Sequence, residues 1–222
     1  MVHHVDLGTL HLESGSHPDR SDGLCVMEAV AWWADSEHTD HPTCTSPVLA
    51  AFAIAFNDGA DDETRQRLIP FIPRLIGTAD DPQADAARAW LATDWLVRTF
   101  APQWLRKAGL DDEAEALETL PELTTAELAR SAQPIIDRVR AKADAAWAAA
   151  WDAARAAAGD AAGDAARAAA RATKGSYNAK YAAARKAADD VLKPLYAETI
   201  AELQESALGL FDRMIDVRMA VA

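Results

Sequence analysis

Apolar residues dominate two runs near the start of the chain, LCVMEAVAWWA from Leu24 and PVLAAFAIAF from Pro47, with a polar segment from Asp35 to Thr45 between them. A helix that is apolar nearly all round belongs inside a core, whereas one at a surface shows a stripe. Both runs therefore predict central helices. Ser21 or Asp22 is expected to cap the first, which runs to about Ala34. Ser46-Pro47 opens the second, with serine as cap and proline at the first helical position, and Asn57-Asp58-Gly59 stops it.

Before these runs, residues 2–13 alternate weakly and predict a short strand or an irregular arm carrying His3, His4 and His11. After them the pattern stays helical. A third helix fits Asp62 to Leu68, interrupted by Pro70 and Pro73. Asp81-Pro82 starts a fourth, whose expected buried stripe is Ala87, Trp90, Leu91, Trp95, Leu96 and Val97. Pro102 begins a continuation closed by Gly109, a helix over Asp112 to Leu120 comes next, and Thr124 with Glu127 reads as a capping box.

From about Pro134 the pattern changes to two long helical segments, 134–173 and 177–218, joined at Lys174-Gly175-Ser176. Each is about forty residues, or roughly 60 Å long, and so short a joint makes them an antiparallel αα-hairpin. The first arm carries a four-residue alanine repeat in which Trp147, Trp151, Arg155, Gly159 and Gly163 form a row that winds around the helix. Alanine needs no partner to be helical, so this arm also reads as a plain spacer. Along the second arm a stripe of Tyr196, Ile200, Leu203, Ala207, Leu210 and Met214 comes after a register shift at Pro194. The expectation is an all-α fold: a compact N-terminal helical region over 1–130 and a long C-terminal antiparallel αα-hairpin over 131–222.

Composition sharpens this. Half of the 222 residues are hydrophobic, enough for a sizeable core, but much of that half is alanine and the seven tryptophans must supply bulk. The formal net charge of −13 argues against non-specific adsorption to nucleic acid or anionic lipid. No run reaches the length of a membrane span and no signal peptide is visible, so a cytoplasmic protein with reduced thiols is expected.

Chemistry concentrates in the opening runs. Cys25 and Glu28 stand three apart on one helix face, and His41 and Cys44 three apart in the polar segment, with His38 and Asp40 nearby. Thiolate, imidazole and carboxylate are zinc ligands, so C-x-x-E with H-x-x-C predicts a metal site at Cys25, Glu28, His41 and Cys44, with His38 and Asp40 as further donors. A Cys25–Cys44 disulfide and inert side chains are the alternatives. The same residues allow an enzyme, a metal-dependent or cysteine-nucleophile hydrolase, with Cys25 near a helix N-terminus, His41 as its base, and Glu28 as metal ligand or as a general base with a raised pKa. A carboxylate within an apolar helix needs a partner; Arg20, Arg74, Arg88 and Arg98 are the expected candidates.

The second constellation is the hairpin tip. Between Asp164 and Asp189 there are six basic residues and no acid. Arg167, Arg171, Lys174, Tyr177, Lys180 and Tyr181 interleave cations with aromatics, which suits an anionic partner, whether nucleic acid or an acidic protein.

The segments GSHPDRSDGLCVMEAVAWWADSEHTDHPTCTSPVLAAF, LIPFIPRLIGT and RAWLATDWLVRTFAPQWLRKAGL, with the ending LQESALGLFDRMI, resemble a recurrent uncharacterised family of actinobacterial and actinophage proteins. The resemblance covers about half the chain, from Glu13 to about Leu110 and again at the end. That family has no established activity, so the resemblance carries over no catalytic role. The leading expectation is a non-enzymatic interaction protein, phage-encoded, able to oligomerise; the others are the enzyme above and an acidic nucleic-acid mimic that inhibits a host protein.

Overall fold

The computed structural model describes residues 6–79, 81–158 and 177–217, and within these the side chains of 6–79, 81–149 and 196–217. The described residues are helical, without a strand. Contacts divide the chain into two compact units. Met1–Leu96, Glu122–Ala126 and Gln204–Ala222 form the first, and Val97–Pro121 with Glu127–Leu203 the second. Among the described residues, those from Gln204 onward group with those up to Leu96.

The first unit is built around α1 (Val26–Trp33), in which every residue from Val26 to Ala31 is buried. Its ends explain its short length. Cys25, not Ser21 or Asp22, is the N-cap. Residues 19–22 make a turn of their own, closed by the Asp22 N–H on the Asp19 carbonyl, and Gly23 at φ +128° redirects the chain into the helix. At the other end Asp35 takes a left-handed φ of 54°, and the Ser36 and Asp35 N–H groups donate to the Ala31 and Trp32 carbonyls. That is a Schellman closure with aspartate where glycine is usual.

Helix α2 (Pro47–Gly59) starts as expected, with Ser46 Oγ accepting from the Leu49 N–H. Arg65, on α3 (Asp62–Gln66), donates to the Asn57 and Ala60 carbonyls and so satisfies the end of α2. Pro70 and Pro73 break the next segment into a 3₁₀ turn, Ile69–Phe71, and α4 (Ile72–Leu75). Asp81 caps α5 (Pro82–Trp95). Ala84 and Arg88 are the buried residues of α5, and Leu91 and Trp95 of the expected stripe pack half-buried against the same core, while Leu96 beyond its end is 51% exposed.

The core of this unit is closed by the end of α9 (Tyr177–Asp216). Leu208, Leu210, Phe211, Met214 and Ile215 are buried among Val26, Val30, Leu49, Ile72 and Leu75. Phe211 stacks on Phe52 at 5.0 Å and meets Phe71 at 5.2 Å. Polar groups fix the register: Arg74 reaches Asp212 and Asp216, and the Trp95 indole donates to Ser206 Oγ at 2.8 Å. Arg88, 2% exposed, donates to the Met214, Val217 and Thr78 carbonyls and pairs with Asp85, so a buried guanidinium receives the terminal carbonyls of α9. The expected stripe along α9 agrees at Leu203, Ala207, Leu210 and Met214, while Ile200 is 37% exposed.

In the second unit, α6 (Ala101–Lys107) turns at Gly109, φ +73°, into α7 (Asp111–Glu118). The π-helical turn Leu96–Phe100 precedes it. Pro102 has no N–H for the Arg98 carbonyl, which favours the wider turn there. Arg106 grips Glu118 with both guanidinium nitrogens, at 2.6 and 2.8 Å. Helix α8 (Ala126–Ala158) is joined to α7 by Lys142 and Glu113. The turn at Gly175 and the pairing of the hairpin arms lie outside the described residues. Among the described residues no helix is long and apolar enough to cross a membrane.

Candidate functional site

The carboxylate of Glu28 lies at the N-terminus of α1 and is 1% exposed. Oε1 accepts from the His17 backbone N–H at 2.6 Å. Oε2 accepts from the Cys25 N–H at 2.7 Å and is 2.8 Å from His17 Nδ1. In return Cys25 Sγ accepts from the Glu28 N–H at 3.5 Å. Cys25 and Glu28 thus form a capping box with sulfur in place of the usual hydroxyl. The C-x-x-E spacing is a helix start, and the partners of Glu28 are His17 and backbone amides, none of the four arginines expected.

His38 completes the cluster. Its Nε2 is 2.9 Å from the His17 carbonyl oxygen and 3.8 Å from Glu28 Oε1, while its Nδ1 is buried without a partner among the described residues. His17 Nε2 is 3.8 Å from Glu13 Oε2. Gly23 covers this edge of the ring: a Cβ on Gly23 would sit 2.8 Å from both Cδ2 and Nε2 of His17. The segment that presents His17 is tied down by side chains in place of a strand. Gln66 bonds both the N–H and carbonyl of Leu12, and buried Asn57 donates to the Glu13 carbonyl and accepts from the Val26 N–H.

These contacts set the electrostatics. Burial pushes the Glu28 pKa up, but the donors from His17 and Cys25 outweigh it and hold the carboxyl below its ordinary value. Burial pushes the Cys25 thiol up to about 12, beyond what the helix N-terminus and the Glu28 N–H can offset. A thiol that remains protonated at neutral pH is a poor nucleophile.

The other predicted ligands stand elsewhere. His41 has a side chain 73% exposed and pairs with Asp40 at 2.7 Å. Cys44 is half-buried, with Thr45 Oγ1 3.8 Å from its sulfur. Both cysteines are free thiols. Among the described residues no three His, Cys, Asp or Glu side chains are placed to share a metal ion. The expected set of Cys25, Glu28, His41 and Cys44, with His38 and Asp40, is therefore corrected: the Glu28 oxygens are occupied by amides and His17, and Cys25 is turned onto its own helix. As placed, those side chains do not converge on one ion. Of the tip residues, Arg167, Arg171 and Lys174 lie outside the described residues, as do the side chains of Tyr177, Lys180 and Tyr181.

A second feature was not expected from the sequence. In the second unit, α6, α7 and α8 enclose an apolar trough of about 640 Å³, walled by Phe100, Trp104, Leu105, Leu117, Val139 and Trp147. Trp104 packs against Phe100 at 6.3 Å and Tyr196 at 5.6 Å. Trp147 is 73% exposed. Arg140 and Asp144, one turn apart on α8, are the charged residues among the lining. The signal was the spacing Ile136, Arg140, Ala143, Trp147, a helix face masked by the alanine repeat in which Trp147 also takes part.

No protein-family model matches the chain, and no curated protein or solved structure is significantly similar to it.

Proposed function

We propose that the chain is a non-enzymatic interaction protein whose second unit offers the α6–α7–α8 trough to a macromolecular partner. The observation that carries this reading is Trp147, 73% exposed beside an apolar trough of about 640 Å³. An exposed tryptophan contiguous with apolar surface is costly to leave in water, and tryptophan anchors dominate the energetics of interfaces. The Glu28 cluster supports the same reading from the other side. Its carboxylate and thiol are engaged in capping a helix and fixing a loop, which is structural work. The resemblance to actinobacterial and actinophage proteins makes phage origin part of this proposal.

The test is a photo-cross-linking residue at position 147 of the full chain in expressing cells. Discrete adducts are expected at position 147 and not at exposed Glu63; equal labelling at both sites, or none at 147, overturns the reading.

A second surface rests on the sequence alone. The six basic residues between Asp164 and Asp189, with no acid among them, suit an anionic partner. Neutralising Arg171, Lys174 and Lys180 should weaken such a complex and flatten its salt dependence; unchanged binding to a polyanion such as heparin or single-stranded DNA rejects it.

A further inference from the structure

We infer that the partner of the trough is a second copy of this chain, with α8 packing antiparallel on α8 of the other protomer about a two-fold axis. The inference rests on the trough being a contact surface and specifies what fills it.

The argument is self-complementarity. A two-fold interface uses the same patch on both subunits, so whatever the patch lacks at one end it must supply at the other. The exposed face of α8 meets this condition. Arg140 and Asp144 stand four residues apart among the trough residues, one cation and one anion. Antiparallel pairing centred between them sets Arg140 of each protomer against Asp144 of its neighbour, twice. Among the described residues, neither side chain forms a salt bridge within its own chain. Their order is also the less favourable one for pairing along a helix, with the base on the N-terminal side. Both therefore remain available for intermolecular pairing.

Shape obeys the same symmetry. Trp147 projects at one end of this face, and Ile136, half-buried, lies at the other. The register that pairs Arg140 with Asp144 brings Trp147 of one copy beside Ile136 of the other, where it can enter the apolar trough. Ala143 lies near the axis, where a small side chain lets two helices approach closely. The formal net charge of −13 opposes association of two copies, so the dimer should tighten as salt screens that repulsion. A complex held by the basic tip would respond in the opposite sense.

Sedimentation equilibrium of the full chain reads the outcome. The wild type is expected to form dimers that tighten with added salt. Trp147→Ala should weaken dimerisation at least tenfold, with unchanged circular dichroism because the side chain is mostly exposed. Arg140→Asp and Asp144→Arg should each weaken it severalfold, and the double exchange Arg140→Asp/Asp144→Arg should restore it. A wild type that stays monomeric, or a dimer indifferent to Trp147 and to both charge changes, overturns the inference. Cross-linking at position 147 separates its failure from that of the broader reading. An adduct at twice the 23.8 kDa chain mass supports self-association. A discrete adduct of another mass from a monomeric chain overturns self-association and leaves the trough a contact surface. No adduct overturns both.

Discussion

Glu28 holds His17 twice, by the backbone N–H at 2.6 Å and by ring Nδ1 at 2.8 Å. One side chain of the central helix therefore fixes the loop that precedes it. Removing a buried, fully bonded carboxylate strands its donors, and a stranded buried donor costs about 1–3 kcal/mol. Glu28→Ala should lower unfolding stability by about that much, and Glu28→Gln by less, since the amide keeps an acceptor oxygen. Urea titrations followed by tryptophan fluorescence give both values; a Glu28→Ala change under about 1 kcal/mol would contradict the cluster's role.

The same carboxylate makes stability depend on acid. Its folded pKa is depressed by the His17 and Cys25 donors. Its contribution is therefore complete above the unfolded value of about 4.3 and is lost as pH falls through the lower folded value. The stability gap between wild type and Glu28→Gln should close as pH falls below about 4.3 towards the depressed folded value. A gap that persists unchanged into strong acid would mean the carboxylate does not titrate as described.

Cys25 caps α1 through sulfur, and its thiol is pushed up to about 12. Under native conditions a thiol reagent should label half-buried Cys44 well before Cys25. Cys25→Ser should retain the cap, whereas Cys25→Ala should lose about 1 kcal/mol. Rapid labelling of Cys25 in the folded protein, with Cys44 slower, would reverse the assignment.

Phe211 is fully buried and stacked on Phe52. Phe211→Ala should cost about 3–5 kcal/mol, as a large aromatic removed from a core does. The loss should unfold residues of α1 and α2, which hydrogen exchange on Val26–Trp33 and Pro47–Gly59 would register. Protection there that survives the substitution would separate the last helix from the first core.

Helix starts written in backbone chemistry were legible in the sequence. Ser46-Pro47 and Asp81-Pro82 begin α2 and α5 because a short oxygen acceptor and a proline each act within a few residues. The all-α character came from the same local signals. The Cys25 cap was hidden because sulfur rarely caps, so C-x-x-E read as ligand spacing when it was a capping box. His17 was hidden because a loop histidine carries no periodicity to mark it. Arg88 was hidden because a charge is expected outside, whereas here it meets Asp85 and the last turn of α9. The trough depended on three helices meeting, which spacing along one of them does not reveal.

The burial of Phe211 beside Phe52 also sets a clock on synthesis. About 160 residues separate them in the chain, and at ribosomal speeds of roughly 5–20 residues per second that is a wait of about 8–30 s. Throughout it, the apolar runs of α1 and α2 have emerged but lack the residues that cover them. The nascent chain should therefore be a client for chaperones that shield exposed apolar segments, and messages truncated before codon 204 should yield products that are cleared by proteases.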